Sequence, residues 1–149
     1  MEGTIRSIET SASPEVLFEV AADLDRYPEW ATGVNRVEVL ERDEAGRARR
    51  ARFEVEGFIK RIAYELEYTY EEPDLMSWRA IPGADIREME GSYRFDRLDG
   101  GGTEIVYALR VETAFAVPGF LRRQAEKQIV TSALRGLKRR AEEAASGAS

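Results

Sequence analysis

Apolar and polar residues alternate almost without interruption through "ARFEVEGFIKRIAYELEYTY", residues 51–70. A period of two is the mark of a strand with one covered face and one wet face. The same period runs from residue 34 to about 114, interrupted at "DEAG", "GFIK", "EPD", "IPGAD" and "DGGG". Those breaks predict six consecutive strands joined by short loops, an antiparallel meander. Before them, "TIRSIET" (4–10) has short-strand character. "SPEVLFEVAADL" follows with Ser13 as N-cap, Pro14 at the first helical position and Glu15 in the first turn. Val16, Leu17, Val20, Ala21 and Leu24 then share one helical face. "DRYPEW" (25–30) reads as a turn or a second short helix, with Pro28 disfavouring helix at Tyr27. After "AVPG" the period returns to 3.6 and holds to about Glu143, and "AASGAS" reads as a frayed tail.

The strand register is open to a test from side chains alone. Pairing Glu56 with Arg61 around "GFIK" sets Val55 opposite Ile62, Phe53 opposite Tyr64 and Ala51 opposite Leu66. The other face then pairs Arg52 with Glu65 and Arg50 with Glu67, opposite charges in each case. Closing the next hairpin at "EPD" sets Tyr70 by Met76, Tyr68 by Trp78 and Glu67 near Arg79. A slip of one residue would scramble both faces together, so the register is specified twice.

A sheet with one apolar face must cover it. The C-terminal helix offers the cover, through Leu121, Ile129, Val130, Ala133, Leu134, Leu137 and Ala141. The expected fold is therefore α+β, a helix grip: a curved antiparallel sheet of about seven strands, in the order β-α-α-β6-α, wrapped around one long helix. Residues 1–144 make one domain and 145–149 a disordered tail.

Composition narrows the chemistry mainly through what is missing. The 149 residues include no histidine and no cysteine. Ser-His-Asp and Cys-His centres, thiolate nucleophiles and zinc sites built on imidazole or sulfur are all excluded. No EF-hand loop is present, and "DGGG" lacks the phosphate-binding glycine-loop pattern. No metal or other cofactor is expected. Neither a secretory leader nor a membrane-length apolar run is recognisable, so a cytoplasmic location is the default expectation.

"SASPEVLFEVAADLDRYPEW" (11–30) and "GSYRFDRLDGGGTEIVYALRVE" (91–112), with the spacing between them, resemble the START-like superfamily. Within it the chain is similar to the polyketide cyclase/dehydrase and coenzyme-Q-binding group. The resemblance covers nearly the whole chain, the early segment being the more specific. It implies a cavity between sheet and helix that takes a hydrophobic or aromatic small molecule: a polyketide, an isoprenoid quinone or a lipid. Family members include aromatase/cyclases acting on carrier-tethered poly-β-ketones, quinone and lipid carriers, and ribosome-association toxins. Their functions leave carrier, cyclase and interaction module as three readings.

The inward phase supplies the candidate ligand contacts: Phe53, Tyr64, Leu66, Tyr68, Met76 and Trp78 on the first strands. Met89, Tyr93, Phe95, Tyr107 and Leu109 continue the set, with Phe120 and Ile129 from the helix. Such a stripe is either a filled core or a pocket wall. Five of the six tyrosines share the inward face, which a core without hydroxyl partners would not favour. Arg49, one pair beyond Ala51 on the same phase, is a candidate to hold a carboxylate, phosphate or enolate oxygen, or simply a strand-end cation reaching water. In the related cyclases an interior arginine and tyrosine are credited with enolate chemistry, and no single position here answers to that arginine. Arg49, Tyr64 and Tyr93 are the catalytic candidates, without an evident general base on the inward strand phase.

Phe115, Val117 and Phe120 form either an apolar lip or a staple at the helix start. Residues 117–140 carry Arg122, Arg123, Lys127, Arg135, Lys138, Arg139 and Arg140 against Glu126 alone. Within a chain of net charge -6, that stretch suggests a contact with an acyl-carrier protein, a ribosome or a membrane surface, or a solvated face. General nucleic-acid binding is not expected.

Overall fold

A computed structural model describes residues 3–57 and 60–147. Strand β1 (Thr4–Thr10) leads into helix α1 (Pro14–Ala22), a 3-10 turn (Leu24–Arg26) and a one-turn helix α2 (Tyr27–Trp30). Six strands follow: β2 (Val34–Arg42), β3 (Ala48–Glu56), β4 (Arg61–Glu71), β5 (Leu75–Ile81), β6 (Ile86–Arg97) and β7 (Thr103–Thr113). Helix α3 (Gly119–Gly147) closes the chain. The strands form one antiparallel sheet in the order β1-β7-β6-β5-β4-β3-β2, the α+β helix grip that the patterning predicts.

The local causes are visible at the element ends. Ser13 Oγ accepts from the Val16 amide at 3.2 Å, and Pro14 occupies the first turn of α1. In the β6–β7 turn Gly101 and Gly102 take φ of 99° and 81°, a left-handed backbone that other residues rarely adopt. Tyr27 is helical (φ −53°, ψ −40°) although it precedes Pro28. Its buried ring and its hydroxyl bond to the Ala21 carbonyl override the local preference.

The hairpin registers match the side-chain pairing residue for residue. Glu56 pairs with Arg61, Phe53 with Tyr64 and Ala51 with Leu66, while Tyr68 pairs with Trp78 and Tyr70 with Met76. Phe58 and Ile59 of the expected "GFIK" turn lie outside the described residues. Helix α3 continues to Gly147, past its expected end near Glu143, and residues 148–149 of the expected tail again lie outside.

The concave face of the sheet is covered by two helices that do different work. Helix α1 covers one end. There Phe18 packs edge-on against Tyr70 and Phe95, with Leu17, Leu24 and Met76 sealed around them. Helix α3 runs the length of β1, from Thr4 to Thr10, and packs on α1 as well, burying Val130, Leu134, Leu137 and Ala141. Gly136 lets α3 approach α2 closely: a Cβ there would sit 3.1 Å from the Trp30 carbonyl oxygen. Among the described residues no helix is long and apolar enough to cross a membrane.

Candidate functional site

Beyond the reach of α1, the sheet and the N-terminal half of α3 enclose a cavity of about 630 Å³. A volume of that order accommodates a drug-sized molecule. Strands β3 and β4 contribute Phe53, Tyr64, Leu66 and Tyr68 to its wall, with the Phe53 and Tyr64 rings stacked at 5.5 Å. Trp78, Met89, Tyr93, Tyr107 and Leu109 continue the wall across β5, β6 and β7. Tyr93 and Tyr107 meet edge to face at 4.5 Å, and Trp78 packs against both. Ile129 lines the cavity from α3 and is half exposed at its edge.

Three predicted contacts lie elsewhere. Met76 and Phe95 are on the inward face but under α1, in the sealed part of the core. Phe120 points to solvent, 67% exposed, although its neighbours Phe115 and Val117 do line the cavity mouth. Phe115 carries the Lys60 ammonium over its ring at 5.1 Å, and Lys60 pairs with Asp85 at 2.8 Å.

Arg49 is not in the cavity. The β2–β3 ladder shifts register where Val39 pairs with Ala51, Glu41 with Arg50 and Arg42 with Ala48. That irregularity moves the inward position from residue 49 to Ala48, which is buried, and turns Arg49 onto the outer face of the sheet. There it sits beside Glu67, Thr69 and Ser77. Extrapolating strict alternation across a bulge places a residue on the wrong face.

The tyrosines differ in how their hydroxyls are used. Tyr27 donates to the Ala21 carbonyl and Tyr70 to the Ala48 carbonyl. Among the described residues no protein group hydrogen-bonds to the hydroxyls of Tyr64, Tyr68, Tyr93 or Tyr107. Those four side chains line the cavity, and none of their oxygens is sealed away from it. Burial pushes all four phenols above their ordinary range, so they stay neutral and serve as donors or acceptors. The wall is thus predominantly apolar, with these four hydroxyls among its polar points.

One residue of the site escapes the strand-based reading. Glu126, on α3, is buried at 6% exposure and lines the cavity. Its Oε1 accepts from Thr4 Oγ1 at 2.7 Å and its Oε2 from the Val111 amide at 3.1 Å. Val111 lies beyond Leu109, the last residue of β7 that pairs with β1, so its amide needs another acceptor. The signal was present in the helix phase. Glu126 precedes Val130, Leu134, Leu137 and Ala141 at spacings of four, four, three and four, the stripe that faces the sheet.

The basic residues of α3 do not form an unbroken positive face. Arg140 pairs with Glu29 of α2 at 2.7 Å, and Arg122 lines the cavity. Arg135, Lys138 and Arg139 border a shallow surface depression shared with Glu142 and Glu143.

The fold recurs in solved structures. A START superfamily protein from Mycobacterium smegmatis superposes with a TM-score of 0.85 at 21% identity, over 95% of this chain and 97% of that one. The Zhui aromatase/cyclase from Streptomyces sp. R1128 gives 0.81 at 17% identity, over 95% and 93%. A protein from Thermus thermophilus gives 0.79 at 24%, over 96% and 99%. No curated protein sequence matches this chain. Residues 4–142 match the family described as polyketide cyclase / dehydrase and lipid transport. From first strand to final helix, the chain belongs to that family.

Proposed function

We propose that the protein binds a hydrophobic or aromatic small molecule between sheet and α3, as a carrier or binding protein. The observation that carries this reading is the set of four tyrosine hydroxyls that have no protein partner among the described residues, on a predominantly apolar cavity wall. A core filled for stability alone would pair those hydroxyls or replace them with phenylalanine. A ligand with an aromatic or aliphatic body and a few carbonyl or hydroxyl oxygens meets both demands of the wall. Polyketides, isoprenoid quinones and lipids with oxygenated ends are the compound classes in question.

Binding is preferred over cyclisation because Arg49 faces solvent across the sheet from the cavity. The enolate-polarising reading therefore loses Arg49, the cation it assigned to Tyr64 and Tyr93. A macromolecular partner on α3 is not part of the proposal, since Arg140 is engaged by Glu29 and acidic residues interrupt the basic stretch.

The test is to incubate the purified protein with a small-molecule extract of its native cells, re-isolate it and identify retained compounds by mass spectrometry. One enriched hydrophobic compound, recovered unchanged, is the expected result. A chemically altered compound would establish catalysis instead. Leu66→Trp, which fills the cavity from the β4 wall, should abolish retention while the fold persists. Equal retention by wild type and variant would overturn the proposal.

A further inference from the structure

Glu126 is the one buried carboxylate among the described residues. Among the described residues no Lys or Arg forms an ion pair with it; its two contacts are the Thr4 hydroxyl and the Val111 amide. A carboxylate presents about four acceptor positions, so each oxygen retains capacity after those contacts. The contacts alone would explain a polar residue here, because the open end of the β7 ladder needs an acceptor for Val111. A neutral side chain would supply it without the desolvation of a charge. What distinguishes Glu126 from a structural cap is that it also lines the cavity.

We propose that Glu126 selects ligands bearing a hydrogen-bond donor, a phenolic or alcoholic hydroxyl, at the α3–β7 end of the cavity. This rests on the cavity being a ligand site. The physical argument is one of mismatch. A hydrocarbon, an ether or a quinone carbonyl placed against Glu126 strips water from an acceptor and returns no proton to it, whereas a hydroxyl donates into it. Tyr107, which meets Tyr93 edge to face, lines the same cavity and offers a donor or acceptor to a bound ligand. The compound class narrows accordingly to hydroxylated aromatics, and fully oxidised quinones and plain acyl chains are disfavoured.

The experiment measures equilibrium dialysis of the full chain against 1-naphthol and 1-methoxynaphthalene at neutral pH. The pair shares one ring system and differs in the donor. Wild type should bind 1-naphthol about tenfold more tightly than its methyl ether, in line with a charge-assisted hydrogen bond. Glu126→Gln, which keeps an acceptor for Thr4 or Val111 but no charge, should bring the two affinities within about twofold of each other. Should that variant fail to fold by circular dichroism, Glu126→Asp replaces it, withdrawing the carboxylate by one methylene and reducing the preference. Equal wild-type affinities would overturn the inference and leave the ligand cavity standing. So would a preference that survives the loss of the carboxylate. If wild type binds neither probe, the cavity reading and this inference fall together.

Discussion

Gly91 stands opposite Trp78 where β6 pairs with β5, and a Cβ at that position would lie 2.4 Å from the indole ring. The missing side chain is what allows Trp78 to lie flat against the sheet and line the cavity. Gly91→Ala should therefore destabilise the protein by about 1–3 kcal/mol, the usual range for overpacking. Chemical denaturation followed through tryptophan emission checks this, and an unchanged midpoint would contradict it. At this scale the sequence was legible in part. Ten of the thirteen expected contacts line the cavity. Glu126 was not found, because a charge count over residues 117–140 hides the phase of the one acid among them. Arg49 was misplaced, although "ARRA" at 48–51 separates two inward alanines by three residues instead of two. That spacing is the mark of a bulge, but which face the intervening arginines take depends on the partner strand.

Between elements, the hairpins were readable because two independent patterns agreed on each register, apolar pairs inside and opposite charges outside. The role of α1 was not. Its apolar stripe requires a partner, yet nothing local says that it packs on α3 and covers only one end of the sheet. The consequence is that Met76 and Phe95, identical in phase to the cavity residues, are sealed beneath Phe18. Phe18→Ala should cost about 3–5 kcal/mol through the cavity it leaves. Probe affinity at the open end, measured below the melting transition, should be unchanged. A large affinity loss would mean that the two ends of the face are coupled.

Across the whole molecule, several carboxylates tie separate elements together. Arg47 of the β2–β3 turn bonds Glu19 of α1 and Glu72 of the β4–β5 turn, while Arg140 of α3 holds Glu29 of α2. Lys60 and the Ala63 amide hold Asp85. The bond from Arg47 lowers Glu19, that from Arg140 lowers Glu29, and Lys60 with the Ala63 amide lowers Asp85. Groups with depressed folded-state pKa values stabilise fully above their unfolded values and lose that contribution as pH falls through the folded ones. The melting temperature should hold steady down to about the unperturbed glutamate value of 4.5 and then decline on further acidification. Arg47→Met should shrink the decline, since it removes the partner of Glu19. A melting temperature that rises below pH 4.5 would contradict the assignment. These pairs are mostly exposed, so added salt should weaken the effect.

The division of the concave face between the part sealed under α1 and the cavity also bears on how the family can change its ligand over evolutionary time. Residues that hold the sheet closed, Phe18, Met76 and Phe95, are not those that touch the cavity. Drift at Tyr64, Met89 or Ile129 can reshape the pocket while the anchoring end of the sheet stays intact. A library randomised at those three positions should yield folded proteins at high frequency, with altered ligand preferences among them. The same randomisation beneath α1 should yield few survivors.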